Sequence, residues 1–292
     1  MEASELLQLV IAGLKNGSIY ALLALGFTIV YAATNVINFA QGEFYMLGGM
    51  LAVFAFSGLN VPLVAAVALA VVTVAGIGAL FERLAIRPRK DADPMALIII
   101  TVGGSLVFAS VARHLFGSDA LPLPEFTPGP SFVFAGAAIE RQTIWIWVIV
   151  TATVIGLTLL YNRTRLGRAM RACMENREAA RLMGIDTARV VMVSFALAAA
   201  LGALAGVAVT PLTSTRFDIG AGIAVKGFAA AILGGLGSPL AAVAGGLLLG
   251  LIEQAVIPFS SVLKDVVALA VLLLVLFVRP QGLFRRTRKE KV

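Results

Sequence analysis

The sequence is poor in charged residues, and this scarcity is its most informative feature. Of the 292 residues, 60% are hydrophobic and only 13% are charged, whereas soluble globular proteins carry about 25% charged residues. Apolar runs of about 20 residues recur along the chain, and each is long enough to cross a hydrocarbon core as a helix. The composition therefore excludes an ordinary soluble domain and predicts an all-α, polytopic membrane protein.

Side chains suited to metal binding or covalent chemistry are also scarce. The chain has one cysteine, Cys173, which excludes an internal disulfide and a multi-cysteine metal site. Its one histidine, His114, lies beside Arg113 at the end of an apolar run, which favours an interfacial role over zinc binding. An intramembrane enzyme would need a nucleophile–base pair or a metal cluster. We therefore predict no catalytic residue and no metal site.

The basic residues are grouped rather than dispersed. The formal net charge is +7, and most Lys and Arg residues lie in Arg83–Lys90, Arg163–Arg189 and Arg279–Lys291. Short basic segments beside hydrophobic spans are typical of the cytoplasmic side of a membrane. The basicity thus indicates topology and not a nucleic-acid partner. We expect a cytoplasmic C-terminus, an outside N-terminus and an external loop at about 117–142.

Nine apolar spans are predicted, at 6–33, 36–57, 61–81, 95–116, 143–161, 188–209, 219–236, 238–256 and 262–278. The seventh contains Lys226 and several glycines, which is typical of a short, broken or re-entrant segment. Eight full crossings with irregular pieces remain the alternative. No soluble domain separates the spans, so residues 1–292 are predicted to form a single transmembrane domain in a lipid bilayer.

A polar stretch, INFAQGEFYMLGG, interrupts the early spans at residues 37–49. A polar group in hydrocarbon costs several kcal/mol unless it has a partner or faces water. Gln41 and Glu43 lie about 200° apart around a helix, so they face one cavity only if the helix breaks at Gly42. The stretch either lines a substrate pathway or serves as an interfacial anchor or helix cap. The predicted pathway residues are Asn35, Asn38, Gln41, Gly42, Glu43 and Tyr45.

A second irregular stretch, KGFAAAILGGLGSPLAAVAGG, covers residues 226–246. Its glycines and Pro239 do not sustain one rigid helix. Interrupted hydrophobic segments in both halves of a chain point to a transport site between the halves, while a tight turn between two spans is the alternative. The predicted pathway residues here are Gly234, Gly235, Gly237 and Ser238.

A basic loop at about 162–187 contains a predicted short helix. Asn176 is suited to cap it, Glu178 to its first turn, and Gly184 to end it in a left-handed conformation. Asp186 can then cap the next span. The helix is predicted to present an apolar surface of Ala179, Ala180, Leu182 and Met183 ringed by Arg177 and Arg181. This surface is either a docking element for a partner or an amphipathic helix on the bilayer.

Glu178-Ala179-Ala180, followed after three residues by Gly184, resembles the coupling loop of ABC-importer permeases. GSIYALLALGFTIVYAATNVINFAQGEFYMLGG, RTRLGRAMRACMENREAARLMGID and GGLGSP resemble the branched-chain amino-acid permease family, H-type membrane subunit, over essentially the whole chain. The family often has His-Gly-Asp where this chain has Gln41-Gly42-Glu43. That departure leaves the solute open among branched-chain amino acids, urea, short amides and aromatic acids.

The resemblance implies a permease of an ATP-driven importer in the bacterial inner membrane. Its expected partners are two ATP-binding subunits, a homologous sister permease and an extracytoplasmic solute-binding protein. The phosphate-binding motif G-x-x-x-x-G-K-[ST] is absent from the chain, so ATP and Mg²⁺ are expected on the partner subunits and no cofactor on this chain. The residues assigned to ATPase coupling are Asn176, Arg177, Glu178, Ala179, Ala180, Arg181, Leu182, Met183 and Gly184. A secondary transporter or channel is the alternative, and it leaves the docking helix unexplained.

Overall fold

A computed structural model describes residues 3–89, 92–258, 260, 263–279 and 282–284. The described helices are α1 (Ala3–Thr34), α2 (Gln41–Val53), α3 (Leu63–Phe81), α4 (Pro94–Phe116), α5 (Arg141–Arg163), α6 (Arg165–Glu175), α7 (Arg177–Leu182), α8 (Thr187–Thr213), α9 (Ile219–Gly234), α10 (Pro239–Val256) and α11 (Leu263–Val278). A π-helical turn, Phe54–Gly58, extends α2, and the turns Glu82–Ile86 and Arg87–Arg89 extend α3. The basic segment Arg279–Lys291, predicted to be cytoplasmic, lies largely outside the described residues.

The prediction of an all-α polytopic membrane protein is confirmed. Six helices of the described chain are long and apolar enough to cross a membrane, namely α1, α3, α4, α5, α8 and α10. The remaining predicted spans correspond to α2 and to the shorter apolar helices α9 and α11. Each predicted span thus coincides with a helix, and α9 has the reduced length that its glycines and Lys226 suggested.

The helices connect two loop-rich ends of the molecule. The basic end contains α6, α7 and the Glu82–Arg89 turns, which contact α8. The hairpin end contains residues 117–140, including an antiparallel hairpin of β1 (Phe132–Phe134) and β2 (Ala137–Ile139). This hairpin was not expected from the sequence, and its turn places Ala135 and Gly136 at positive φ. An ion pair of 2.9 Å between Lys15 and Glu140 ties the hairpin end to α1.

Close contacts between small residues form the centre of the helix bundle. Gly13 and Gly17 of α1 lie against Gly250 and Gly246 of α10, and a Cβ added at any of these four glycines would overlap the facing helix. Small residues allow such close backbone approach in membrane helices. In contrast, α3, α4 and α5 are mostly exposed and carry large apolar side chains at their surfaces. The molecule therefore has a close-packed centre around α1 and an apolar periphery suited to lipid or to another chain.

Candidate functional site

The polar stretch lies where the chain turns back after α1. Asn35 is exposed at the basic end with φ of 57°, and the chain stays irregular until α2 begins. Asn38 stabilises this return, because its Oδ1 accepts a hydrogen bond of 3.1 Å from the Ala40 N–H. A helix break at Gly42, the condition for Gln41 and Glu43 to face one cavity, does not occur. Gly42 lies inside the regular helix α2, and the break occupies residues 35–40 because Asn38 closes a turn there.

The first turn of α2 lies inside the bundle and contacts several helices. Gln41 Nε2 donates a hydrogen bond of 2.8 Å to the carbonyl of Ala198, which is near the middle of α8. Glu43 Oε1 accepts one of 3.0 Å from Ser105 Oγ, which is near the middle of α4. Gln41 is fully buried and Glu43 is 2% exposed. The two side chains face different helices, as their angular separation on α2 requires, and neither lies at an end of the bundle.

Glycine allows α2 and α9 to approach closely beside Glu43. A Cβ on Gly42 would overlap the carbonyl of Gly220 and the methyl group of Ala224. A Cβ on Gly220 would overlap the Glu43 carboxylate, whereas one on Gly222 would meet no atom within 4 Å. Gly220 was not identified from the sequence, because it is more than 170 residues from Glu43 and only the fold brings them together.

Three polar atoms at this junction are buried without a hydrogen-bond partner among the described residues. They are Asn38 Nδ2, Gln41 Oε1 and Glu43 Oε2. Leaving a buried donor or acceptor unsatisfied costs about 1–3 kcal/mol. Unlike these three side chains, Tyr45, one turn further along α2, lines a pocket. The pocket has a volume of about 560 Å³ and lies between α2, α8, α9 and α11. The start of α2 is thus a buried polar junction beside a cavity.

The second predicted pathway stretch is the turn between α9 and α10. Gly235 and Gly237 have φ of 115° and 96°, which favours glycine, and α10 begins at Pro239. This is the tight turn that formed the alternative interpretation. Gly237 and Ser238 line a separate pocket of about 300 Å³ at the basic end, while Gly234 packs against α10. The structure does not bring this stretch together with Glu43, because they lie toward opposite ends of α9.

A buried ion pair that sequence reasoning missed lies between α9 and α10. Lys226 Nζ is 2.8 Å from Glu253 Oε1, and Tyr20 on α1 donates a hydrogen bond of 2.5 Å to Glu253 Oε2. The side chains of Lys226 and Glu253 are 17% and 0% exposed. Ionisable residues inside membrane helices are expected to pair. One charge of each sign in adjacent predicted spans was the signal that could have found this pair.

The helix stops predicted in the basic loop are present. Asn176 Oδ1 accepts a hydrogen bond of 2.9 Å from the Ala179 N–H at the start of α7. Gly184 has φ of 81°, and the next N–H, of Ile185, donates to the Ala180 carbonyl at 3.1 Å. Asp186 Oδ1 accepts from the Arg189 N–H and so caps α8. The preceding helix, α6, was not predicted, and Thr164 caps it in the same way.

One member of the predicted exposed surface of α7 is placed differently. Ala180 is only 4% exposed and belongs to a core cluster with Met170, Cys173 and Val190. The prediction that Ala180 is part of the exposed surface of α7 is therefore wrong, because a helix anchored to the bundle must turn one face inward. Leu182 and Met183 are 88% and 83% exposed. Burial raises the pKa of Cys173, which disfavours its reactive thiolate and agrees with a packing role.

A family model and two similar curated proteins identify the family of this chain. The family described as branched-chain amino acid transport system / permease component matches residues 9–276. The chain is 37% identical over 310 residues to the high-affinity branched-chain amino acid transport system permease protein BraD of Pseudomonas aeruginosa, covering 100% of this chain and 99% of that protein. It is 36% identical over 301 residues to the permease protein LivH of the corresponding system of Escherichia coli K12, covering 98% and 97%.

A solved structure supports the fold alone. PsaBC from Streptococcus pneumoniae in complex with Fab aligns with a TM-score of 0.50 at 12% identity, covering 94% of this chain and 92% of that one. The sequence matches extend over nearly the whole chain and include both the polar stretch and the basic loop. The chain therefore belongs to the family of permease components of the branched-chain amino acid transport system.

Proposed function

We propose that this chain is a membrane-spanning subunit of an ATP-driven importer for branched-chain or related amino acids. In this proposal two separate subunits hydrolyse ATP, and one of them receives α7 in a cleft. A sister permease completes the pathway, and an extracytoplasmic binding protein delivers the solute at the hairpin end. Family membership supports the transport role, and the geometry of α7 is the observation that carries the coupling role.

The attachment of α7 is suited to receiving force from a partner. Asn176 and Gly184 fix its two ends, and Ala180 anchors its inner face in the bundle. Leu182 and Met183 then form an exposed apolar pair on a rigid support. Exposed apolar groups on a fixed element indicate a surface that another molecule covers. If α7 lay on the bilayer, lipid would cover the same two side chains. An experiment that detects the ATPase directly is therefore needed to separate docking on a partner from binding to the membrane surface.

The helix α8 offers a route from α7 to the polar junction. It begins at the Asp186 cap beside α7 and contacts α2 at Gly202 and Gly206. Its Ala198 carbonyl also accepts the hydrogen bond from Gln41. A rigid helix with these contacts transmits a displacement at one end to its other end, as in the shear motions of switching proteins. Three polar atoms at the start of α2 lack a hydrogen-bond partner among the described residues. This supports the proposal that the segment changes its hydrogen-bond partners during the motion.

The polar junction is proposed as part of the pathway wall. Gln41, Glu43 and Gly42 contact α8, α4 and α9. Asn38 closes the turn before α2, and Tyr45 lines the adjoining pocket. Gly237 and Ser238 belong to the proposed exit at the basic end. Urea, short amides and aromatic acids remain the alternative solutes. The polar junction suits a polar group on the solute, but it does not define the rest of the solute's structure.

The coupling role is tested in the complete importer, reconstituted with its ATPase subunits and binding protein. Gly184→Val opposes the positive φ, since a β-branched residue there is a rare outlier. Leu182→Asp places a charge in the proposed apolar contact. Both variants should lose stimulation of ATP hydrolysis by the loaded binding protein, or lose the ATPase during purification. Arg165→Gln, on the exposed surface of α6 in the same loop, is the control. Tightly bound and normally stimulated ATPase in both variants would favour the membrane-surface helix.

A further inference from the structure

A groove at the basic end of the bundle has the lining of an amphipathic ligand site. Its volume is about 300 Å³, and residues of α1, α5, α6 and α10 line it. This volume is at the lower end of the range of about 300–1,000 Å³ that is typical of ligand sites. Leu240 of α10 lines the groove and is 64% exposed, whereas Leu25 of α1 is buried. The groove is therefore closed toward the bundle centre and open on the outer, membrane-facing side.

The groove is polar at one end and apolar along the rest of its length. Helix α5 runs toward the basic end, so Val154 and Leu157 lie deeper in the bundle than Asn162. Val154 and Asn162 are separated by about 12 Å along the helix axis. Val243 of α10 adds to the apolar part, and Arg171 of α6 lies with Asn162 at the polar end. A phospholipid has the same order of groups, with a polar headgroup at the membrane surface and acyl chains inside.

Arg171 supplies a positive charge at the polar end of the groove. Its Nη1 donates a hydrogen bond of 3.0 Å to Asn162 Oδ1, a neutral acceptor that does not balance the charge. Among the residues that the structure describes, no carboxylate forms an ion pair with Arg171. A guanidinium carries five N–H donors in a planar fork, which suits phosphate oxygens. Gly167 lets α6 lie this close to α5, because a Cβ on it would overlap the Leu160 carbonyl.

The charge of α6 favours an anionic headgroup over a zwitterionic one. The helix carries Arg165, Arg168 and Arg171 against one acid, Glu175. It lies at the basic end, which the distribution of Lys and Arg predicts to be cytoplasmic. Basic pockets between membrane helices on that side bind the headgroups of anionic lipids. A zwitterionic headgroup has no net charge, so it would gain less from these arginines.

We infer that the groove binds one anionic phospholipid, whose phosphate group contacts Arg171 and whose acyl chain lies against Leu157 and Val243. The lipid fills the space between α5 and α10, and its headgroup lies against α6. Gly237 and Ser238 line the same groove, so the turn at the proposed exit faces lipid on this side. The site goes beyond the proposed function and does not depend on which solute is transported.

Photoreactive lipids test the site in the complete, reconstituted complex. Phosphatidylglycerol and phosphatidylcholine, each with a diazirine on the acyl chain, are added separately, and the labelled residues are mapped by mass spectrometry after irradiation. At a subsaturating concentration, phosphatidylglycerol should label the groove segments of α5 and α10 more strongly than phosphatidylcholine does. Arg171→Gln should lower this labelling about tenfold, the factor expected for one charge-assisted hydrogen bond. Excess glycerol phosphate should not compete, because it lacks the acyl chain that occupies the apolar part.

Two further variants separate the groove from the general charge of the loop. Arg165→Gln removes a charge from the same helix but does not line the groove, so labelling should be retained. Val243→Trp fills the apolar part and should abolish labelling of the groove. The exposed face of α4 around Ile99 is the internal reference, because any lipid in contact with the complex should label it equally in all variants.

Several outcomes would overturn the lipid site. Equal labelling of the groove by the two lipids, or equal losses in Arg171→Gln and Arg165→Gln, would mean that the groove does not recognise an anionic headgroup. Absence of groove labelling in the assembled wild-type complex would mean that lipid does not enter it. Loss of labelling in excess leucine would assign the groove to the solute. The labelling requires neither ATP nor transport, so its failure leaves the proposed function to be tested separately by ATP-dependent uptake.

Discussion

Two ion pairs of similar length, one just before α9 and one joining α9 to α10, lie in different surroundings. Arg216 and Asp218, just before the helix, lie 2.5 Å apart with side chains 51% and 41% exposed. Lys226, near the helix middle, lies 2.8 Å from Glu253, with side chains 17% and 0% exposed. Exposed pairs contribute little because water and salt screen them, whereas breaking a buried pair leaves an uncompensated charge. Burial therefore decides which pair matters, and bond length does not.

The largest effect is expected from breaking the buried pair. Glu253→Ala removes the fully buried carboxylate that pairs with Lys226 and accepts the hydrogen bond from Tyr20. The free energy of unfolding should fall by about 3–5 kcal/mol, measured as a lower melting temperature and lower membrane abundance of the complex. Glu140→Ala is the control, because it removes the carboxylate partner of the more exposed Lys15. Equal losses in the two variants would show that burial does not separate these pairs.

A second effect is expected where α9 approaches Glu43. Gly220→Ala places a Cβ in overlap with the Glu43 carboxylate and should cost about 1–3 kcal/mol of stability, as overpacking does. Gly222→Ala, on the same helix, meets open space and should be neutral or slightly stabilising, since alanine favours helix. Thermal unfolding of both variants measures the difference.

A further variant checks the cause of the loss. Adding Glu43→Ala to Gly220→Ala removes the overlapping carboxylate and should recover part of the stability, giving a non-zero coupling energy. Additive losses would mean that Gly220 contacts something other than Glu43.

The basic loop and the membrane interior differ in how much the sequence reveals. The caps at Asn176 and Asp186 and the left-handed Gly184 were predictable, because each hydrogen bond joins residues at most four or five positions apart. The helix spans were predictable for a similar reason, since apolar length is a local property. The inward direction of Ala180 was not, because it depends on how α7 docks against the bundle.

The interior site depends on contacts between distant residues. Gly220 beside Glu43 and Tyr20 beside Glu253 are brought together by helix packing, and no local pattern specifies which faces meet. Glycine tolerates irregular backbone, so Gly42 was the place where a break in this stretch could be expected from the sequence. The structure uses that glycine for close helix approach, and the Asn38 turn makes the break instead.

A smaller effect on stability is expected at Glu43 itself. Glu43→Gln keeps the shape and an acceptor for the Ser105 hydroxyl, so stability should change by less than about 1 kcal/mol. Uptake by the reconstituted importer should nevertheless fall, because the variant removes the acidic group from the proposed pathway wall. Ser105→Ala is the comparison, since it removes the hydrogen bond but keeps the carboxyl group. Wild-type uptake by Glu43→Gln at normal abundance would exclude an essential role for the acid.

The smallest effect is expected from the exposed pair, and its pH dependence has a defined sign. The hydrogen bond from Arg216 holds the pKa of Asp218 below its usual value, which is about 3.9 in an unfolded chain. Because the folded-state pKa is lowered, the pair stabilises the protein above the unfolded pKa, and this contribution is lost as the pH falls through the folded pKa. Arg216→Gln should therefore melt slightly below the wild type near neutral pH in low salt. The two melting curves should converge in strong acid, and also in about 1 M salt, where screening is nearly complete. A difference that persisted in both conditions would mean that Arg216 stabilises the protein through packing. The contrast with the buried pair would then no longer be one of charge alone.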